Sequence, residues 1–135
     1  MSNLPSLGST GHVVILGAGH AGGTAAALLR QYGHEGPITL VGEEPIPPYQ
    51  RPPLSKAWLK GEADADSLAL KPESFYAEHD IDLKMGVCAE TLDRTAKTVR
   101  LSNGESVSYD ILILATGARA RRLSLPGAED RKSVV

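Results

Sequence analysis

This sequence predicts an α/β fold, a parallel sheet carrying an inserted antiparallel β-meander. Three observations lead there. The apolar run Val13–Leu16 feeds a G-x-G-x-x-G turn at Gly17, Gly19 and Gly22. A helical segment and a second apolar run follow and end on Glu43, 21 residues after Gly22. A third apolar run, Ile111–Leu114, ends in the small-residue turn Ala115-Thr116-Gly117.

The first strand and its turn suit a dinucleotide. Gly17 permits a tight turn, Gly19 lets phosphates approach the main chain, and Gly22 lets the helix pack close to the strand. The N–H groups at the helix start then face an anion. Thr24–Tyr32 reads as helix, with Gly33 as its stop signal. Ile38–Val41 reads as the second strand. An acid about 20 residues beyond the glycines is where a dinucleotide fold holds a ribose. The plainer readings are a turn that needs φ > 0 and a solvated pair of acids, Glu43 and Glu44.

Residues 44–53 contain five prolines and predict a stiff, extended loop. Leu54–Lys60 reads as a short helix ended by Gly61, residues 62–71 as a surface connection, and Pro72–His79 as a helix with Pro72 at its first position. Ile81–Met85 alternates as a strand. Val87–Leu92, Thr98–Leu101 and Ser106–Tyr109 predict the meander, with Asn103-Gly104 as the hairpin turn between its last two strands. Ile111–Leu114 is apolar throughout, as in a strand buried on both faces.

The 135 residues suit one domain, which can bury about 65–70% of its unfolded surface. Fourteen basic and 16 acidic residues leave a net charge of −2, so no basic patch points to nucleic acid. No apolar stretch approaches a membrane span, and residues 1–12 read as a disordered lead-in, not a signal peptide. The single cysteine, Cys88, excludes an intrachain disulfide and reads as a buried or half-exposed strand residue. These features predict a cytoplasmic protein. His12, His20, His34 and His79 are scattered without metal-site spacing, and no metal is expected.

The segments VVILGAGHAGG (13–23), TLVGEE (39–44), YQRPPLSKAWLKG (49–61), LSNGESVSYDILILATGARARRL (101–123) and LPGAE (125–129) together resemble the FAD-binding domain of ferredoxin reductase-type flavoproteins. RPPLSK followed by ATGAR is more specific than the glycine turn alone. The resemblance covers residues 13–129 and implies a Rossmann-like FAD-binding sheet. It implies that Gly17, Gly19, Ala21 and Gly22 contact the FAD pyrophosphate and that Glu43 holds the adenosine ribose. Arg51 would reach the phosphate or ribitol side, Lys56 would sit beside the flavin ring, and Ala89 would contact adenine through its backbone. Ala115, Thr116 and Gly117 would line the cofactor at the second turn. A cation beside a flavin stabilises negative charge on its reduced form; a solvent-facing helix lysine is the plainer reading of Lys56. Trp58, Tyr49, Phe75 and Tyr76 read as packing residues.

The implied activity is transfer of electrons from NADH through FAD to a ferredoxin-type iron–sulfur protein. The flavin supplies that chemistry, so no catalytic acid or base is assigned. The family's NADH module, its FAD-completing return segment and its C-terminal interface domain are not in this sequence, so the domain is expected to be partial, to lack an NADH site and to be inactive alone. Without the return strand, Ile111–Leu114 would be a sheet edge. Residues 130–135, DRKSVV, do not resemble the family. Read as GAT CGG AAG AGC GTC GTG and followed by TAG, they match a widely used sequencing adapter, which predicts a truncated gene. A stand-alone NAD-binding module, and a non-enzymatic fragment acting through its open sheet edge, are the competing readings. The proline-rich loop argues against the first of these. Oligomeric state and the choice of NADH over NADPH do not follow from the sequence.

Overall fold

The computed structural model describes residues 10–127. Most of the lead-in, the end of LPGAE and the tail 130–135 lie outside the described residues. Strands β1 (Val13–Leu16), β2 (Ile38–Gly42), β3 (Ile81–Met85) and β7 (Ile111–Leu114) form a parallel sheet in the order β3-β2-β1-β7. Strands β4 (Ala89–Asp93), β5 (Thr98–Leu101) and β6 (Ser106–Ser108) form the antiparallel meander. Helices α1 (His20–Gln31), α2 (Ala65–Leu68) and α3 (Glu73–Glu78) complete the described elements.

Alternation along the central strands explains why they are almost wholly apolar. Val13, Ile15, Ile38 and Leu40 pack with Ala26 of α1 and Tyr76 of α3 on one face. Val14, Leu16 and Val41 pack against Val99, Leu101 and Val107 of the meander on the other. Both faces are covered, so a polar residue in these strands needs a partner. Among the described residues Thr39 is the one buried polar residue, and its hydroxyl lies 2.8 Å from the His12 ring. Each fully buried aliphatic side chain stabilises the sheet by about 1.5–3 kcal/mol.

Several boundaries differ from the sequence reading. Helix α1 starts at His20, four residues earlier than predicted, because the turn is complete at Gly19 and the next two glycines are helical. No regular helix spans residues 54–60. Pro52–Ser55 is a 3-10 turn, followed by mixed turns up to Gly61. Pro52 and Pro53 carry no N–H, and the amides beyond them reach back three, four or five residues, so no single ladder forms. The connection at 62–71 holds α2, whose Leu68 is buried. Pro72 is the residue before α3, not its first.

Strand β4 begins two residues later than read, and Val87 instead donates its N–H to Gly42 of β2. Cys88 is exposed. Asn103 and Gly104 make the hairpin: the Asn103 side chain accepts from the Glu105 amide, and Gly104 has φ +87°. Strand β7 is not buried on both faces. It is the outer strand of the described sheet, half-buried over its first three residues, with Leu114 64% exposed. A strand with one neighbour leaves part of its side chains in solvent.

Arg30 ties the far end of the sheet. Its guanidinium donates to the carbonyls of His34, Gly36, His79 and Asp80 at 2.7–3.0 Å, joining the C-terminal end of α1 to the turn before β3.

Candidate nucleotide site

The carboxyl ends of β1, β2 and β7 open into one cleft of about 440 Å³. This is where α/β sheets place ligands. The turn after β1 supplies one wall through Gly17–Ala21. The loop after β2 supplies Glu43, Glu44, Ile46, Tyr49 and Arg51, and the turn after β7 supplies Ala115–Arg119.

Steric demand explains the glycine turn. Gly17 has φ +115°, and a Cβ there would fall on the Ala115 carbonyl, so the two turns touch backbone to backbone. A Cβ at Gly22 would fall on the Gly17 carbonyl. Gly22 is buried and does not line the cleft; its place is where α1 packs against the turn. Gly19 differs, because a Cβ there would meet no protein atom within 4 Å and would project into open space.

The start of α1 suits an anion. Gly19 precedes it with no side-chain cap and no acid in the first turn. The first intrahelical bond from this end runs from Gly23 N–H to Gly19 carbonyl, so the earlier amides have no helical acceptor. Together with the space above Gly19, these amides fit the diphosphate of a dinucleotide such as FAD.

Polar side chains line the opposite wall. Arg119 Nη2 lies 3.1 Å from both carboxylate oxygens of Glu43, linking the turns after β2 and β7. Tyr49 donates its hydroxyl to Glu44 at 2.9 Å, and Arg51 Nη2 donates to the same carboxylate at 3.1 Å. Partial burial and the Glu44 carboxylate together raise the Tyr49 phenol above its ordinary value.

The structure therefore gathers Gly17, Gly19, Ala21, Glu43, Arg51, Ala115, Thr116 and Gly117 around one cleft. Lys56 and Ala89 do not line it. Lys56 is exposed and directs its ammonium to the Pro52 carbonyl at 3.4 Å, and Ala89 lies exposed at the start of β4. Sequence reasoning missed Glu44, Tyr49 and Arg119. Glu44 was legible only as a solvated acid and Tyr49 as packing, since their meeting depends on how the proline loop folds back.

The model of the pyridine nucleotide-disulphide oxidoreductase family matches residues 11–135. The chain belongs to this family. Unlike the redox pair in the family's name, this chain has one cysteine. It is 52% identical over 116 residues to rhodocoxin reductase of Rhodococcus erythropolis, covering 86% of this chain and 27% of that one. It is 49% identical over 117 residues to rubredoxin-NAD(+) reductase of Pseudomonas putida, covering 87% and 30%. The crystal structure of a covalent putidaredoxin reductase–putidaredoxin complex superposes with a TM-score of 0.82 at 44% identity, covering 87% of this chain and 28% of that one. The chain thus spans under a third of the length of these family members. No helix among the described residues is long and apolar enough to cross a membrane.

Proposed function

We propose that this chain is the FAD-binding part of a cytoplasmic reductase that passes electrons from NADH through FAD to a ferredoxin-type iron–sulfur protein. The observation that carries the reading is the single cleft shared by the uncapped glycine turn, Glu43 and Arg51. The relatives named above, reductases of rhodocoxin and rubredoxin, support the acceptor class.

In this reading Gly17 and Gly22 shape the turn, while Gly19, Ala21 and the first amides of α1 bind the diphosphate. Glu43 accepts hydrogen bonds from the ribose hydroxyls and repels a 2′-phosphate. Arg51 neutralises phosphate charge, and Ala115, Thr116 and Gly117 let the cofactor pass over the β7 turn. Lys56 and Ala89 lie outside the cleft; in this reading Lys56 would approach the flavin ring, and Ala89 would meet adenine through its backbone. FAD held by these residues would supply the hydride-accepting and single-electron chemistry, while the chain binds and orients it. A stand-alone NAD-binding module would share the glycine turn and Glu43 but has no use for the Arg51 loop.

Titration of the 135-residue chain with ADP, followed by amide NMR, tests the reading. The amides of residues 17–21 are expected to shift. The chain is expected to purify without stoichiometric flavin and to oxidise no NADH, because the cleft of the described residues supplies contacts for the adenosine-diphosphate half alone. Unmoved turn amides would overturn the assignment, and NADH-dependent reduction of an acceptor by this chain alone would overturn its partial character.

A further inference from the structure

Two acids, Glu43 and Glu44, line a cleft whose other features suit an anion. Glu43 has a use in binding ribose. Glu44 has none in that scheme, and a bare carboxylate beside a diphosphate would repel it. Its contacts give it another role. It accepts the Tyr49 hydroxyl at 2.9 and 3.2 Å and pairs with Arg51 Nη2 at 3.1 Å. The Arg51 guanidinium carbon also lies 5.8 Å from the centre of the Tyr49 ring, within cation–π reach.

The base beneath this cluster is firm. Tyr49 forms a β-bridge with Ala69, Gln50 N–H donates to Leu68 carbonyl, and Leu70 N–H donates to Pro48 carbonyl. The Glu44 carbonyl accepts from Gly86 N–H, beside the end of β3. Prolines on both sides restrict the backbone further. A guanidinium has five N–H donors. Among the described residues Arg51 makes one side-chain hydrogen bond, to Glu44, and its remaining donors stay available.

We infer that Glu44 and Tyr49 are positioning residues that hold the Arg51 guanidinium at the cleft, ready for the diphosphate of an incoming nucleotide. The inference rests on the reading of the cleft as a nucleotide diphosphate site. A long arginine loses less freedom on binding when its orientation is set beforehand. The charge on Glu44 is screened by its two partners and acts through them.

The sign of one effect separates positioning from simple electrostatics. In the 135-residue chain, Glu44→Ala removes a negative charge from an anion site, so repulsion alone predicts tighter ADP binding. Positioning predicts binding about threefold to tenfold weaker, the scale of one charge-assisted contact. Tyr49→Phe is expected to weaken ADP about threefold. Neither substitution should change adenosine affinity, which lacks the diphosphate. In an Arg51→Ala background both effects should vanish, as a double-mutant cycle reads directly. Amide spectra confirm that each variant is folded, and Tyr49→Phe serves where Glu44→Ala is not. Tighter ADP binding by Glu44→Ala, or effects that persist without Arg51, would overturn the inference. If the unaltered chain binds adenosine but not ADP, or neither, the diphosphate reading itself fails and the inference falls with it.

Discussion

One wall of the cleft, residues 17–21 with Gly22 packed behind them, is made of backbone; the other, residues 43–51, is made of side chains. At Gly17 and Gly22 an added Cβ would fall on a carbonyl oxygen of a neighbouring turn residue. Those positions have no room to adjust. Across the cleft, Glu43, Glu44, Arg51 and Arg119 are exposed and meet through hydrogen bonds of 3.1 Å. Exposed pairs of that kind contribute about 0–1 kcal/mol each. The backbone wall therefore belongs to the stability of the fold, while the side-chain wall contributes little to it and is free to serve the proposed recognition.

Substitution within the backbone wall gives the largest expected effect. Gly22→Val should cost more than about 4 kcal/mol and leave the chain unfolded in a urea or thermal melt. Gly19→Val places its side chain in open space, so folding should survive with a loss of about 1 kcal/mol or less. Its ADP affinity should nevertheless fall at least about tenfold, because the side chain occupies the phosphate's place. If Gly22→Val folds normally, the steric account of the turn fails. If Gly19→Val binds ADP unchanged, the phosphate is not held there.

The side-chain wall should give the opposite profile. Glu43→Ala is expected to change stability by less than about 0.5 kcal/mol. It should weaken adenosine binding about tenfold, through loss of charged hydrogen bonds to ribose. Calorimetric titration and a melt on the same variant check both halves. A large loss of stability would show that the Glu43–Arg119 pair holds the two turns together.

A smaller effect should come from acid. Asp64 caps α2, which anchors the Tyr49 loop; the Ser67 amide bonds its carboxylate and holds its pKa below the ordinary 3.8. A lowered folded pKa means stability present above 3.8 and lost as pH falls through the lower folded value. Hydrogen exchange at the Gln50 and Leu70 amides should accelerate as pH falls below 3.8, after correction for intrinsic rates, while the amides of β1 stay protected. Asp64→Asn should remove most of that pH dependence. Equal acceleration in β1 would mean that the two walls open together.

Much of the backbone wall was legible in the sequence. The spacing of Gly17, Gly19 and Gly22 after an apolar run reports a local steric need, and Glu43 follows at the end of the next strand. The central strands were equally plain, because both of their faces are covered and nearly every position is apolar, Thr39 excepted with its His12 partner. The ATG turn after β7 was also visible, since small residues are what a close backbone contact with Gly17 allows.

The side-chain wall was harder to read. Residues 54–60 have helical composition, yet Pro52 and Pro53 remove the amides that would start a regular ladder. Strand β7 has the composition of a buried strand, and only its place in the sheet order leaves Leu114 exposed. Glu44 and Tyr49 are five residues apart on a proline-rich loop, and their contact exists because Pro48, Tyr49 and Gln50 are pinned to residues 68–70. The sequence by itself determined the glycine turn, the central strands and the position of the acid Glu43, because sterics and burial act on neighbouring residues. The tertiary structure decided which charged side chains share the cleft with them, because those contacts join segments whose meeting no local pattern records.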